Sequence, residues 1–82
     1  MEKIQKENDF LKNSDFLICN VLLYFGHTLE EVDRSDVSRC IFSIKRKNDT
    51  DEILRKFHEG SLLVEPKRFQ AISKEIKSRI YN

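Results

Sequence analysis

Residues 14–26 read SDFLICNVLLYFG and predict the most apolar helix of the chain, from about Asp15 to Phe25. Ser14 is a suitable N-cap because its hydroxyl can accept a hydrogen bond from an early backbone N–H of the helix. Gly26 suits the position after the helix end, where a left-handed backbone costs glycine little. Because this helix has almost no polar face, it has to be covered on nearly every side. We therefore expect the rest of the domain, or a second copy of it, to pack around it.

A β-hairpin is predicted directly after this helix. Residues 28–33 form a short first strand anchored by Leu29, and residues 34–36 form a polar turn. Residues 37–46 form a second strand, since their side chains alternate with period two. The residues of this strand expected to face the core are Cys40, Phe42 and Ile44. Ile41 then lies on the opposite face, where it is partly covered or belongs to a contact surface.

Two further helices are predicted in the second half of the chain. Asp49, followed three residues later by Glu52, resembles a capping box and opens the first of them, which Gly60 ends. The apolar residues 62–64 are expected to tuck into the core. Pro66 suits the first position of the last helix, because the N–H that it lacks would have no helical partner there. The buried stripe of this helix, at spacings of three and four, consists of Phe69, Ile72, Ile76 and Ile80.

Length and composition limit the chain to one small domain. It has 82 residues, 39% hydrophobic and 35% charged, a balance typical of a globular domain with a charged surface. The predicted fold class is α+β, with the order helix–β-hairpin–helix–helix and a two-stranded antiparallel sheet over residues 13–82. Residues 1–12 are predicted to be a weakly ordered lead-in. Neither a membrane-spanning run nor a signal-peptide pattern is present, so we expect a cytoplasmic protein without membrane contact.

Several short segments resemble a known type of domain. They are DFL at 15–17, VDR at 32–34, FHEG at 57–60, LVEPKRF at 63–69 and KSRIYN at 77–82. The chain from about residue 14 to 82 resembles a family of small uncharacterised bacterial and phage domains, of the domain-of-unknown-function kind. The resemblance implies a self-standing domain in a phage or mobile-element setting, and it implies no activity and no functional residue.

The cysteines and histidines of this chain, residue types that often carry catalysis or bind metals, are explained by structural roles. Cys19 and Cys40 fall in apolar patterns and are expected to be reduced core thiols. They have no metal-site spacing with each other or with His27 and His58. Each histidine lies near a helix C-terminus, where a turn or dipole-compensating role is sufficient. Only two glycines are present, so no phosphate-binding loop exists. We therefore predict no enzymatic activity, no metal, no cofactor and no small-molecule substrate.

The distribution of charge is the main functional signal. Residues 1–36 hold four basic and eight acidic residues, whereas residues 37–82 hold eleven basic and six acidic ones. Such asymmetry between halves favours binding to a polyanion, so we expect a non-catalytic accessory protein that binds nucleic acid through its C-terminal half. The candidate contact residues are Arg39, Lys45, Arg46, Lys47, Lys67, Arg68, Lys74 and Lys77.

Other interpretations stay open at this point. The basic residues could simply solvate the surface. Alternatively, the chain is a protein-binding module, such as a phage-borne inhibitor of a host protein or an assembly adaptor. That interface would combine the outward Ile41 with the acidic residues Glu30, Glu31, Asp33 and Asp36. A homodimer through the apolar helix of residues 16–25 is compatible with either function.

Overall fold

The computed structural model describes residues 9–36 and 38–81, and in them it has three strands and three helices. In chain order these are β1 (Phe10–Asn13), α1 (Phe16–Tyr24), β2 (Leu29–Asp36), β3 (Arg39–Lys45), α2 (Thr50–Glu59) and α3 (Pro66–Tyr81). The α+β class is therefore confirmed. The predicted order is wrong at its beginning, because a strand precedes the first helix. Residues 1–8 of the predicted lead-in, Val37 of the predicted second strand and the terminal Asn82 lie outside the described residues.

The sheet has three antiparallel strands in the order β1-β3-β2, so the prediction of a two-stranded sheet is wrong. β1 begins within the segment predicted to be weakly ordered, which contains its first three residues. It pairs with the free edge of β3, with Phe10 opposite Lys45 and Asn13 opposite Phe42. Four residues are too few for a period-two pattern to be recognised in sequence. Pairing with β3 supplies the hydrogen bonds that hold β1 in the extended conformation.

The hairpin turn lies further along the chain than predicted. Residues 34–36 continue β2 instead of forming the turn, and the pairing with β3 is irregular between Asp33 and Asp36. The carboxylate of Asp33 accepts hydrogen bonds from the amide and the hydroxyl of Ser35, at 3.0 and 2.6 Å. The turn chemistry read from this segment is therefore present, but it shapes a bulge within the strand.

Helix α1 begins and ends through local capping. Asp15 is the N-cap, and Ser14, which the sequence favoured, is not. Oδ1 of Asp15 accepts from the amides of Leu17 and Ile18 at 2.9 and 3.4 Å. Gly26 follows the helix with φ of 92°, as predicted for the residue that ends it.

The core lies between one face of the sheet and the three helices, with α1 at its centre. α1 packs against α2, α3 and β3, which explains how a helix without a polar face is accommodated in one chain. Leu17 is 47% exposed on it. The apolar excess that motivated a homodimer is thus largely covered within the domain, and dimerisation stays a prediction. The buried apolar residues are Cys19, Val21, Leu22, Tyr24, Leu29, Phe42, Ile44, Ile53 and Ile76.

The start of α2 is joined to the end of α1 by a buried polar pair. Nε2 of His27 lies 2.7 Å from Oγ1 of Thr50, and that hydroxyl also accepts from the amide of Lys47 at 2.8 Å. The N-cap Asp49 makes no side-chain capping bond, so the predicted capping box is wrong. Burial lowers the pKa of His27, although the nearby Asp49 carboxylate opposes this effect. His27 is therefore a buried, neutral residue, and of the two roles expected from the sequence, a turn role or dipole compensation, it does not fill the second.

The connector between α2 and α3 lies partly outside the core. Leu62 packs against the core, but Leu63 and Val64 are exposed, so the prediction that residues 62–64 tuck inward holds only for Leu62. Backbone hydrogen bonds fix both ends of the connector. The amide of Ser61 donates to the carbonyl of Lys56 at 3.0 Å, and the amide of Glu65 donates to the hydroxyl of Tyr24 at 2.8 Å.

Helix α3 follows the sequence prediction closely. It begins at Pro66, and its stripe of Phe69, Ile72, Ile76 and Ile80 packs against the core. Ile76 is fully buried. α3 lies against α1 and β2, so its opposite face is turned to solvent.

The two cysteines are free thiols in different surroundings. Cys19 is fully buried, and burial raises the pKa of its thiol to about 12, which keeps it neutral. Cys40 is only partly buried. It lies at the rim of the core instead of inside it.

Candidate nucleic-acid interface

The outer face of α3 carries a row of basic side chains. Lys67 and Lys74 are seven residues apart and project from the side opposite the buried stripe, and Lys77, about one turn further, lies on the flank next to them. At 1.5 Å per residue the row spans about 15 Å along the helix axis. The one acidic residue of the helix, Glu75, lies on the flank beside Arg79 and not within the row. We call this row the α3 lysine face.

These lysines differ from the basic residues of α2 in their partners. On α2, Arg55 pairs with Glu59 at 2.9 Å, and Lys56 pairs with Glu52 at 3.6 Å. No ion pair links Lys67, Lys74 or Lys77 to a carboxylate within residues 9–36 and 38–81. Among the described residues, the α3 lysine face therefore has no carboxylate paired with it, whereas the cations of α2 do.

The sequence-adjacent cluster at residues 45–47 does not form one patch. Lys45 projects from the sheet face turned away from the helices, with its ammonium 5.4 Å from the ring centre of Phe10. Arg46 pairs with Asp51 at 2.9 Å. The ammonium of Lys47 lies against Gly26, at the C-terminus of α1, where a positive charge complements the helix dipole. The three side chains diverge because each contacts a different element: β1, α2 and the end of α1.

Arg68 lies on α3 but not on its lysine face. Its guanidinium donates to the carbonyl oxygen of Tyr24 at 3.0 Å and lies 4.2 Å from the centre of the Tyr24 ring. It thus binds the C-terminal end of α1 and stacks on a core aromatic residue. This geometry gives Arg68 a structural role in joining α1 to α3.

We expect Arg68→Ala to lower the free energy of unfolding by about 1–2 kcal/mol, because it removes a charge-assisted hydrogen bond and a cation–π contact. Lys67→Ala is the matched control: it removes the same charge one residue away and should change stability by no more than about 0.5 kcal/mol. Urea unfolding followed by circular dichroism measures both. Equal losses in the two variants would contradict the structural role of Arg68.

An open cleft lies where β1 ends and β3 continues. The last β1–β3 pair is Asn13 with Phe42, and the chain then leaves the sheet to begin α1. The cleft has a volume of about 360 Å³. Its lining residues are Ser14, Phe16, Ser38, Arg39, Cys40, Phe42, Lys77, Ile80 and Tyr81. Residues from α1, β3 and α3 thus converge on one site, which we call the β3 cleft.

The backbone of Cys40 faces the β3 cleft. The amide of Arg46 donates to Asp9 on the β1 side at 2.8 Å, and the amide of Lys45 donates to Thr28 on the β2 side at 3.0 Å. Backbone groups alternate along a strand, so the even-numbered residues of β3 point toward β1. β1 has left the sheet before it reaches Cys40. The N–H and C=O of Cys40 therefore point toward the part of the β3 edge beyond the last β1 pair.

The two cations of the β3 cleft come from distant parts of the chain. Lys77 belongs also to the α3 lysine face, and its ammonium lies 5.7 Å from the ring centre of Phe16. Arg39 is opposite Asp36 in the β2–β3 ladder. Hydrogen bonds from the hydroxyl and amide of Ser38, at 2.8 and 3.0 Å, hold the Asp36 carboxylate and lower its pKa.

The residues proposed for protein binding do not form a uniform acidic edge. Glu31 and Asp33 lie opposite Ser43 and Ile41 on the outer face of the sheet, and Lys12 and Lys45 lie on that same face. Glu30 is in the irregular part of β2, and Asp36 lines a separate pocket with Arg34 and Tyr81. Ile41 is half-buried between these side chains. The surface is therefore of mixed charge.

The sequence predicted Arg39 and Lys77 as nucleic-acid contacts, but it did not indicate the other residues that line the β3 cleft. Tyr81, which is 80% exposed, carried a usable signal, because it lies seven residues after Lys74 and thus on the α3 lysine face. Ser14 and Ser38 carried no sequence signal that would have assigned them to the site. They join the site only through the packing of α1 against the sheet.

Neither a metal centre nor a membrane span emerges from the part of the chain that the structure describes. No three His, Cys, Asp or Glu residues there are grouped so that they could hold a metal ion. No helix among residues 9–36 and 38–81 has the length and apolar character needed to cross a bilayer.

Comparison with known proteins agrees with the resemblance read from the sequence. The model of a family described as a domain of unknown function, DUF5659, matches residues 8–82. No curated protein and no solved structure matches the chain. The family match begins upstream of the residue 14 expected from the sequence and includes β1. The chain belongs to the DUF5659 family of domains of unknown function.

Proposed function

We propose that this domain is a non-catalytic accessory protein that binds nucleic acid through the α3 lysine face. The observation that supports the proposal best is the row of Lys67, Lys74 and Lys77, exposed on one side of α3 and without a carboxylate in the row. Lysines in such a row can contact successive phosphates and release the counterions condensed around them. The β3 cleft continues the row with Arg39 and the exposed ring of Tyr81.

Nucleic acid is a better fit than a protein partner for two reasons. The outer sheet face, where a protein interface was expected, mixes both signs of charge, and the Asp33 carboxylate is engaged by Ser35. The α1 helix, whose apolar surface suggested an interface, is largely covered by the domain itself. The α3 lysine face keeps the single sign of charge that a polyanion requires.

A salt titration of binding tests the proposal. Fluorescence anisotropy with labelled single-stranded and duplex oligonucleotides should give a slope of log K against log salt of about −2 to −4, as three or four phosphate contacts require. The double variant Lys67→Gln/Lys74→Gln should reduce the magnitude of that slope by about 1.5.

The matched control is Arg55→Gln/Lys56→Gln, which changes the net charge equally but on α2, where the cations are paired with Glu52 and Glu59. Its slope should stay close to that of the native protein. Absence of binding by the native protein at low salt would reject the proposed function. Equal slopes for the two double variants would reject the α3 lysine face as its location.

A further inference from the structure

We infer that the β3 cleft binds one unpaired nucleotide of the bound strand, with its base against Tyr81 and its phosphate between Arg39 and Lys77. The inference rests on the proposed function and specifies its ligand as a single strand. It is carried by the convergence, in one cleft, of two cations, an exposed aromatic residue and the part of the β3 edge that lies beyond the last pair with β1.

The size and lining of the cleft suit a nucleotide. Its volume of about 360 Å³ is at the lower end of the range for small-ligand sites, and it is open, so a nucleotide within a chain could enter from the side. Phe16, Ile80 and Tyr81 supply apolar surface. Tyr81 is 80% exposed, and an exposed aromatic residue can stack on any base.

The polar groups of the cleft suit the phosphate and sugar. Arg39 and Lys77 lie on the cleft wall with the hydroxyls of Ser14 and Ser38. The N–H and C=O of Cys40 point into the same space, because β1 ends before reaching them. An amide donor, two cations and two hydroxyls are complementary to a phosphodiester.

The position of the cleft explains why the strand would be single. A nucleotide that enters it must leave its base pair and its neighbours in the stack, which costs least when the strand is unpaired. Lys77 is shared by the cleft and the α3 lysine face. The strand can therefore run along α3 and turn one base into the cleft at Tyr81.

Substitution of Tyr81 tests the cleft within the folded protein. Because its side chain is exposed, Tyr81→Ala should fold normally and weaken binding of a single-stranded oligonucleotide by roughly 5- to 150-fold, the factor expected from the loss of one base–aromatic stack. The slope of log K against log salt should not change, since no charge is lost. Tyr81→Phe should keep the native affinity, and duplex binding should be insensitive to both variants.

A second measurement locates the nucleotide directly. Nuclear magnetic resonance titration with a nucleoside monophosphate should shift the amides of Arg39, Cys40 and Tyr81. Inorganic phosphate and the free nucleoside should shift them less. Shifts confined to the amides of α3 near Lys67 and Lys74, together with unchanged strand affinity in Tyr81→Ala, would overturn the inference and leave the proposed function standing.

The opposite result is equally informative. Cleft shifts with the mononucleotide, in a protein that binds no strand at low salt, would reject the proposed function and retain the cleft as a site for a free nucleotide. Absence of both kinds of binding would reject both proposals.

Discussion

An Ile76→Ala variant is expected to lose about 2–5 kcal/mol of unfolding free energy. Ile76 is fully buried and is the residue through which α3 reaches the centre of the core. Truncation removes three buried carbon atoms and leaves a cavity that the rigid junction of α1, α3 and the sheet can fill only in part. Small domains of this size are marginally stable, so the variant should be substantially unfolded at temperatures where the native domain is folded.

The control for this prediction is Leu63→Ala, an apolar truncation at a site that is 87% exposed. It should change the unfolding free energy by no more than about 0.5 kcal/mol. Urea denaturation of both variants under the same conditions provides the comparison. A small loss in Ile76→Ala, similar to that in Leu63→Ala, would show that α3 is not anchored as described.

The domain is expected to lose stability as the pH falls from about 7.5 to about 5, through protonation of His27. Burial lowers the pKa of His27 in the folded protein below its ordinary value of 6.5. Asp49, at 3.9 Å from Nε2, raises this pKa, as do the carbonyls of Leu22 and Phe25, while Lys47 lowers it. The balance favours the neutral ring. The unfolded chain therefore binds the proton more readily, and acid shifts the equilibrium toward it.

The direction of the effect follows from this linkage. The contribution of His27 is fully present above pH 6.5, the ordinary pKa of histidine, and it is lost as the pH falls toward the lower pKa of the folded state. The pKa values of Asp33 and Asp36 are lowered by hydrogen bonds from Ser35 and Ser38. Their contributions are therefore lost only at more acidic pH, outside this window.

Two histidine variants show which histidine causes the pH dependence of stability. In His27→Gln, the pH dependence between about 7.5 and 5 should largely disappear. In His58→Gln, which replaces the exposed histidine of α2, it should persist. Urea midpoints at both pH values measure the effect. A native protein whose unfolding free energy is the same at both values would contradict the prediction.

Local sequence signals located most of the helical structure. Gly26 and Gly60 end their helices with positive φ, as predicted, because no other residue adopts that conformation at so little cost. Pro66 opens α3, and the stripe from Phe69 to Ile80 faces the core. These features depend on backbone preferences and on a helical period that a single segment carries within itself.

The features that the sequence did not reveal depend on distant partners. β1 is four residues long and is held by pairing with β3, about thirty residues further along the chain. Asp33 and Ser35 are residue types typical of a turn, yet the pairing of β2 with β3 makes this segment a bulge within the strand. His27 looks like a surface turn residue, but the approach of α2 buries it beside Thr50. In each case long-range pairing or burial overrides the local preference.

The same division applies to the candidate interface. The sequence by itself determined the α3 lysine face, since Lys67, Lys74, Lys77 and Tyr81 share one side of any helix that begins at Pro66. Only the tertiary structure dispersed Lys45, Arg46 and Lys47 onto three surfaces, directed Arg68 to the end of α1, and placed Arg39 and Lys77 on the wall of one cleft. The physical reason is that helical periodicity fixes directions within one segment. The distance between segments is set by how their apolar faces pack, and a list of charges does not contain that information.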